Sequence, residues 1–127
     1  MRNLKKNVIL LTVIVLTLFT LTACTANGYR NVSAEEAKQL IDAGGITVVD
    51  VRTPHEFNQG HIKNSQLVSI EQVAETAKQW PKDTKLLMVC ASGSRSGAAA
   101  EMLAEKGYTE VYNLAGGVYQ WPYGLVN

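Results

Sequence analysis

Residues 86–95 read Leu-Leu-Met-Val-Cys-Ala-Ser-Gly-Ser-Arg, and this stretch decides the fold of the chain. Its four leading apolar residues have the length of a buried strand, and the small residues after Cys90 indicate a tight turn. The alanine-rich segment 96–106 that follows is dense in helix-forming residues and ends at Gly107. The sequence therefore predicts a strand, a short loop and a helix, with a thiol at the last position of the strand.

A cysteine placed between a strand and a helix is positioned to act as a nucleophile. The backbone N–H groups of such a loop converge, and the helix N-terminus carries about half a positive charge, so the thiolate form is favoured. We expect Cys90 to be the catalytic nucleophile and Arg95 to add a fixed planar cation at the end of the loop. The predicted substrate-binding residues lie between them: Ala91, Ser92, Gly93 and Ser94. The alternative is a cysteine that ends a strand and serves only for packing.

The rest of the chain alternates predicted strands with predicted helices. Residues 46–51 are rich in β-branched side chains and predict a strand buried on both faces. Ser33 with Glu36, and Thr53 with Glu56, have the spacing of capping boxes, each of which starts a helix. Further strands are predicted at 29–32, 67–70 and 111–112, and further helices at 70–77, stopped by Pro81, and at 115–121.

This alternation predicts one α/β domain in which a central parallel sheet of about five strands has helices on both faces. Ligands in such folds bind beyond the carboxyl ends of the strands. Cys90 falls at that edge, because it directly follows a predicted strand.

The first 23 residues have the pattern of a secretory signal peptide. A basic start precedes an apolar run, 8–21, that is too short for a comfortable membrane span. The following Leu21-Thr22-Ala23-Cys24 resembles the lipobox of bacterial lipoproteins, in which the cysteine carries acyl chains such as palmitate and becomes the new N-terminus. We therefore expect a signal peptide at 1–23, a lipidated N-terminus and tether at 24–30, and a folded domain at 31–127.

A lipid on Cys24 would hold the domain in the cell envelope. The expected location is the outer side of the cytoplasmic membrane or the outer membrane. The alternative is an uncleaved N-terminal anchor, which would leave the domain on the same side of the membrane.

Without the predicted signal peptide the chain has a slightly acidic balance. The whole chain has 12 Lys and Arg against 11 Asp and Glu, and three of these cations lie within residues 1–23. The remaining nine cations and eleven anions give a formal charge of −2, with no basic run, which argues against a nucleic-acid partner. Of the two cysteines, Cys24 is assigned to lipid, so Cys90 has no partner for a disulfide within the chain. The sequence does not indicate the oligomeric state.

Four motifs, in order along the chain, resemble the single-domain rhodaneses, a family of sulfurtransferases. They are Val49-Asp50-Val51-Arg52 with Glu56-Phe57, then Gly60-His61-Ile62, then the loop from Cys90 to Ser96, and lastly Leu114-Ala115-Gly116-Gly117 with Trp121. The resemblance covers roughly residues 29–121. It departs after His61-Ile62, where the family often continues with Pro-Gly-Ala and this chain has Lys63-Asn64-Ser65.

The resemblance implies a rhodanese-like fold and a two-step transfer of sulfur. Cys90 would take a sulfane sulfur from a small donor, such as thiosulfate or a persulfide, and would pass it from a Cys90 persulfide to a thiol or another nucleophile. The loop amides would stabilise the charge of the terminal sulfur, and neither a metal nor an organic cofactor is implied.

Two alternatives to a sulfurtransferase stay open. The first is a non-catalytic binding or sulfur-relay module, although such modules typically lack the cysteine. The second is a cysteine phosphatase, in which five residues separate the cysteine from the arginine. Here the four residues 91–94 form a tighter ring, which suits sulfur better than the three equatorial oxygens of a phosphoryl group.

Several other polar residues are assigned supporting positions. Asp50 and Arg52 end a strand on the same side as Cys90, and the family uses them mostly to hold loops together. His61 is taken as structural, because a thiolate produced by a helix and by amides needs no general base. His55, in the first turn of a helix, is expected at the surface. The residues expected to build the turn and wall near the loop are Gly116, Gly117 and Trp121.

Overall fold

Five parallel strands form the centre of the fold. A computed structural model of the chain describes residues 28–127, and the predicted signal peptide and lipidation site lie outside the described residues. The strands are β1 (Arg30–Val32), β2 (Ile46–Asp50), β3 (Gln66–Leu67), β4 (Lys85–Val89) and β5 (Glu110–Leu114). The helices are α1 (Ala34–Ala43), α2 (Pro54–Asn58), α3 (Val73–Ala77) and α4 (Ser94–Glu105), with 3₁₀ turns at Ile70–Gln72 and Val118–Gln120.

The strand order is β1-β5-β4-β2-β3, which places β4 at the centre of the sheet. The register pairs Lys85 with Ile46 on one side and with Glu110 on the other. This arrangement confirms the predicted α/β fold with a parallel sheet of about five strands.

Alternate residues of β4 face opposite sides of the sheet, as the two-residue period of a strand requires. Leu86 and Met88 belong to one apolar cluster, which α3 and α4 cover with residues such as Leu103. Leu87 and Val89 belong to the other cluster, which contains Ala37 of α1. All four β4 side chains have no exposed area, so the sheet has a buried core on both faces.

The two predicted capping boxes are confirmed. Ser33 Oγ accepts from the Glu36 amide at 3.1 Å, and Glu36 accepts in return from the Ser33 amide at 3.0 Å. Thr53 and Glu56 make the same reciprocal pair at 3.3 and 3.0 Å, which starts α2. Each box satisfies two amides that the first turn of a helix leaves without a partner.

Three predicted elements differ from those observed. The strand predicted at 67–70 is only Gln66–Leu67, because Ile70 begins a 3₁₀ turn. The helix predicted at 70–77 begins with the 3₁₀ turn Ile70–Gln72, so its α-helical part is only Val73–Ala77. The helix predicted at 115–121 is only the 3₁₀ turn Val118–Gln120.

The departure at Lys63-Asn64-Ser65 is accommodated by a turn. Asn64 has a φ of +65°, a left-handed conformation that asparagine tolerates better than most residues. The Ser65 amide then donates to the Ile62 carbonyl at 3.0 Å, which closes the turn. Within residues 28–127, no helix is both long and apolar enough to cross a membrane.

Gly117 lets a second chain segment lie directly against the residues that follow β4. Its φ is +60°, and a Cβ at this position would overlap the carbonyl groups of Cys90 and Ala91. The next two amides use this close approach: Val118 N donates to Cys90 O at 2.9 Å, and Tyr119 N donates to Ala91 O at 3.1 Å. The end of β4 is therefore held by a neighbouring segment as well as by the sheet.

Replacing Gly117 by alanine is expected to destabilise the fold by about 3 kcal/mol or more, since backbone strain adds to overlap with packed carbonyl groups. The matched control is Gly107→Ala, which also has a positive φ, +95°, but has no atom within 4 Å of an added Cβ. The control should lose about 1 kcal/mol. Urea unfolding of both variants measures the difference, and equal losses would contradict the importance of the contact.

Candidate functional site

Cys90 lies at the carboxyl end of β4, at the edge of the sheet where a site was predicted. The chain then turns through Gly93, whose φ of +98° and lack of a side chain let it lie against the Ala115 carbonyl group. Helix α4 begins at the next residue, two positions before its predicted start. The strand, loop and helix therefore bring the Cys90 sulfur to the N-terminus of α4.

Hydrogen-bond donors converge on the Cys90 sulfur. The Gly93 amide donates to Sγ at 3.1 Å, and the Ser96 hydroxyl lies 3.3 Å from it. The backbone amides of Ser92 and Ser96 also contribute. A cysteine that served for packing alone would not require these donors.

The surroundings of Cys90 act on its pKa in two opposing ways. Burial raises the pKa of the thiol, because Cys90 has no exposed area. The Ser96 hydroxyl and the amides of Ser96, Gly93 and Ser92 lower it, and together they outweigh burial. The pKa of Cys90 is therefore lowered, which favours the nucleophilic thiolate.

Arg95 lies at the end of the loop, but its charge is already paired. Its guanidinium donates to both carboxylate oxygens of Glu56, at 2.8 and 2.9 Å. Glu56 also accepts from the amide and the hydroxyl of Thr53, each at 3.0 Å. The hydrogen bonds from Arg95 and Thr53 lower the pKa of Glu56 to about 2. The predicted loop cation is thus part of an ion pair between α4 and α2, and its catalytic role stays a prediction.

The predicted substrate-binding residues divide into two pairs. Ser92 and Ser94 are exposed, and they line a cavity of about 480 Å³ beside α4. Ala91 and Gly93 are buried, and their carbonyl groups accept from Tyr119 N and from the Asn113 side chain. The loop therefore exposes Ser92 and Ser94 to solvent, while the hydrogen bonds to Ala91 and Gly93 fix its backbone.

A second cavity, of about 220 Å³, lies on the α2 side of the loop. Ala91 and Glu56 line it together with the exposed side chains of Tyr119 and Leu125. Cys90 lines neither cavity. The sulfur is therefore covered by the loop in this structure.

Asp50 and Arg52 form a buried ion pair beside the loop. Arg52 Nη2 and Nε donate to the Asp50 carboxylate at 2.8 to 3.1 Å, and Nη2 also donates to the Gly60 carbonyl at 2.8 Å. The Arg52 amide bonds to the same carboxylate at 3.1 Å. The pair thus ties the end of β2 to the turn after α2, and the supporting role of both residues stays a prediction.

The other predicted supporting residues contact elements around the loop. His61 stacks on the Phe57 ring at 3.7 Å between centroids, and its Nδ1 lies 3.0 Å from the Phe57 carbonyl. His55 is exposed, and its ring nitrogen lies 3.3 Å from the Gln59 amide. Trp121 packs against the apolar cluster that contains Val89, and its indole N–H donates to Gly124 O at 3.2 Å.

Three residues around the loop were not assigned to the site from the sequence. Glu56 was predicted as a helix cap and as part of the first family motif, and Ser96 as the last residue of the Cys90 loop motif, neither of them with a role in the site. Asn113 directly follows the strand predicted at 111–112 and was given no role from the sequence. The structure brings Asn113 next to Ser96, with Ser96 Oγ 2.6 Å from Asn113 Oδ1. Among the described residues, no group of three metal-ligating side chains is assembled.

Comparison with known proteins matches residues 33–122 to the family model described as "Rhodanese-like domain". The chain is 33% identical over 95 residues to a protein of Shewanella oneidensis named thiosulfate sulfurtransferase GlpE, covering 75% of this chain and 94% of that one. It is 34% identical to the protein of the same name from Pseudomonas aeruginosa, covering 73% and 84% of the two chains. A solved rhodanese-related protein from Thermoplasma volcanium has a TM-score of 0.69 and 36% identity, covering 77% of this chain and 98% of its own. These likenesses confirm the predicted rhodanese-like fold.

Replacing Glu56 by glutamine should lower the free energy of unfolding of the domain by about 1–3 kcal/mol near pH 7. This is the range for hydrogen bonds to charged groups, and we expect its lower part because the Glu56–Arg95 pair is partly exposed. The pKa of Glu56 in the folded state, about 2, lies below its ordinary value of 4.5. The stabilisation is therefore complete above pH 4.5 and is lost as the pH falls toward 2. Urea unfolding of wild type and variant across this range measures the difference.

The matched control is Glu36→Gln, which removes the corresponding carboxylate from the other capping box. Glu36 lies 3.4 Å from an exposed arginine and has no bidentate partner. A Glu36→Gln loss as large as that of Glu56→Gln would show that capping, and not the bond to Arg95, accounts for the effect.

Proposed function

The chain belongs to the rhodanese-like domain family, and on that premise we propose that it is a sulfurtransferase that carries a sulfur atom on Cys90. The observation that supports this proposal best is the convergence of the Gly93 amide and the Ser96 hydroxyl on a buried sulfur whose pKa is lowered. A binding module has no need of a stabilised thiolate. Sulfur transfer requires one.

The proposed reaction has two steps. In the first, the Cys90 thiolate attacks the outer sulfur of the donor, the donor S–S bond breaks, and the leaving group departs with the electron pair. For thiosulfate the leaving group is sulfite, and for a persulfide it is a thiolate. In the second step an acceptor thiolate attacks the terminal sulfur of the Cys90 persulfide, the new S–S bond breaks, and the Cys90 thiolate is restored. No external oxidant or reductant is consumed.

The loop amides are the proposed stabilising groups for the persulfide. Its terminal sulfur carries the negative charge, and amides already oriented toward Sγ need little rearrangement to accept that charge. Since Cys90 has no exposed area in this structure, the proposed cycle includes an opening of the loop to admit donor and acceptor. The exposed Ser92 and Ser94 form the outer surface of that loop.

Thiosulfate or a persulfide is the proposed donor class, supported by the names of the relatives from Shewanella oneidensis and Pseudomonas aeruginosa. The proposed acceptor is a thiol that comes from outside the domain, because residues 28–127 contain no cysteine other than Cys90. Arg95 would attract an anionic donor only weakly, since Glu56 neutralises its charge.

The proposed location is the cell envelope, with the domain tethered by a lipid on Cys24. The lipobox-like residues 21–24 support this proposal. A tether of six or seven residues reaches about 20–25 Å, so the domain would work close to the membrane surface.

A Cys24→Ser variant is expected to stay unprocessed and to carry no acyl chain, because lipoprotein processing acts on the cysteine. Mass spectrometry of the membrane fraction from cells that express the wild type and the variant tests this expectation. The lipid-anchor proposal fails if the wild type is released into the medium without an acyl chain and without Cys24.

Cys90→Ala and Cys90→Ser are both expected to abolish transfer of sulfur from thiosulfate to cyanide, because a hydroxyl without an adjacent base is a far poorer nucleophile than a thiolate. The wild type should gain the mass of one sulfur atom after exposure to thiosulfate or to a persulfide, and should lose it when cyanide is added. Neither variant should gain it. Intact-protein mass spectrometry follows each step.

Two results would contradict the proposal. Cysteine-dependent hydrolysis of an aryl phosphate, with no sulfur adduct from any donor, would favour the phosphatase alternative. The absence of both reactions, in a protein whose Cys90 can still be alkylated, would favour a non-catalytic module.

A further inference from the structure

A chain of buried polar side chains leads away from the Cys90 sulfur. Sγ lies 3.3 Å from Ser96 Oγ, and Ser96 Oγ lies 2.6 Å from Asn113 Oδ1. Cys90 and Ser96 have no exposed area, and Asn113 is 4% exposed. The groups must therefore satisfy one another, because little solvent reaches them.

The orientation of the Asn113 amide is fixed by its other contacts. Nδ2 donates to Asn31 Oδ1 at 2.9 Å and to Gly93 O at 3.2 Å. Turning the amide over would place its oxygen against these two oxygens. Asn113 therefore presents an acceptor, and not a donor, to Ser96.

The Ser96 hydroxyl has one proton and two neighbours that can accept it. While Cys90 is a thiol, all groups are satisfied: S–H donates to Ser96 Oγ, and the hydroxyl donates to Asn113 Oδ1. Once the thiol proton has left for solvent, the thiolate can only accept, so the hydroxyl rotates toward Sγ. Asn113 Oδ1 then loses its donor, which is costly for a buried acceptor.

We propose that Asn113 is a positioning residue that competes with the Cys90 sulfur for the Ser96 hydroxyl proton and thereby opposes formation of the thiolate. The competition also follows the proposed reaction cycle. In the persulfide, Sγ is bonded to a second sulfur and carries no charge, so the hydroxyl returns to Asn113. Release of the transferred sulfur draws the hydroxyl back to Sγ.

Both arginines near the loop are paired with carboxylates. Arg95 of α4 is bound to Glu56 of α2, and Arg52 is bound to Asp50 of β2. These pairs contribute a fixed field that does not depend on the Ser96 rotamer. A change in the Cys90 titration that depends on both Asn113 and Ser96 therefore reports the competition for the hydroxyl proton.

A double-mutant cycle between Asn113→Ala and Ser96→Ala tests the proposal. All proteins carry Cys24→Ser, so that Cys90 is their only thiol. The midpoint of thiolate formation is measured from the pH dependence of alkylation and from thiolate absorbance, after circular dichroism has verified folding. Because one hydrogen bond is at stake, we expect changes of about 0.5–1 in the midpoint pH.

The Asn113→Ala change should lower the midpoint in the Ser96 background, because the hydroxyl is freed for the sulfur. Ser96→Ala alone should raise the midpoint. In the Ser96→Ala background, Asn113→Ala should have no effect on it. The proposal is overturned if Asn113→Ala raises the midpoint, or shifts it equally in both backgrounds, since Asn113 would then act through the Gly93 carbonyl or through general packing.

Two further measurements keep the test decisive if Asn113→Ala does not fold. Asn31→Ala removes the contact that Asn113 Nδ2 makes on the side away from Ser96, and this change should leave the midpoint of thiolate formation unchanged.

The S–H infrared band of the parent protein at low pH should have the lowered frequency of a hydrogen-bonded thiol, and Ser96→Ala should raise that frequency. If the S–H bands of the parent protein and of Ser96→Ala have the same frequency, the proposal is overturned. This inference rests on the proposed function only in making Cys90 the reactive group, and neither measurement depends on sulfur transfer.

Discussion

Strand β4 is paired on both edges and buried on both faces, and this enclosure determines where the Cys90 loop lies. A shift of β4 by one residue would exchange the side chains of the two apolar clusters, so its register is fixed. The Cys90 loop therefore leaves β4 at a fixed position relative to the neighbouring strands. It then meets the segment after Gly117, and the amides of that segment donate to the Cys90 and Ala91 carbonyl groups. The position of the sulfur is therefore a property of the whole sheet.

The electrostatics of the site come from dipoles more than from net charge. Both arginines near the loop are neutralised by carboxylates, Arg52 by Asp50 and Arg95 by Glu56. What remains around Sγ is a set of amides, one hydroxyl and the N-terminus of α4. The amides are held in place by the fold, so they need little reorganisation when negative charge appears on sulfur, and among these donors only the hydroxyl has to turn.

Local patterns made much of the fold predictable from the sequence. The strand–loop–helix around Cys90 and both capping boxes depend on residues that are neighbours along the chain, and the alternation of strands with helices implied the parallel sheet. The partners of the loop could not be predicted in the same way. Glu56 and Arg95 are 39 residues apart, and Ser96 and Asn113 are 17 apart. Asn113 reaches the loop only because the register sets it beside Met88, two residues before Cys90. The extent of β3 and the start of α3 were predicted wrongly, because hydrogen bonding at the termini overrode the apolar pattern.

Complete burial of the Cys90 side chain has a consequence for the chemical lifetime of the protein. A thiolate is the form of cysteine most readily oxidised by peroxides, and its susceptibility also depends on exposure. The loop covers the sulfur, so an oxidant can reach it only when the loop moves aside. This cover thus limits irreversible conversion of Cys90 to sulfinic and sulfonic acids. In the proposed sulfur-transfer cycle, the motion that admits a donor would also admit an oxidant.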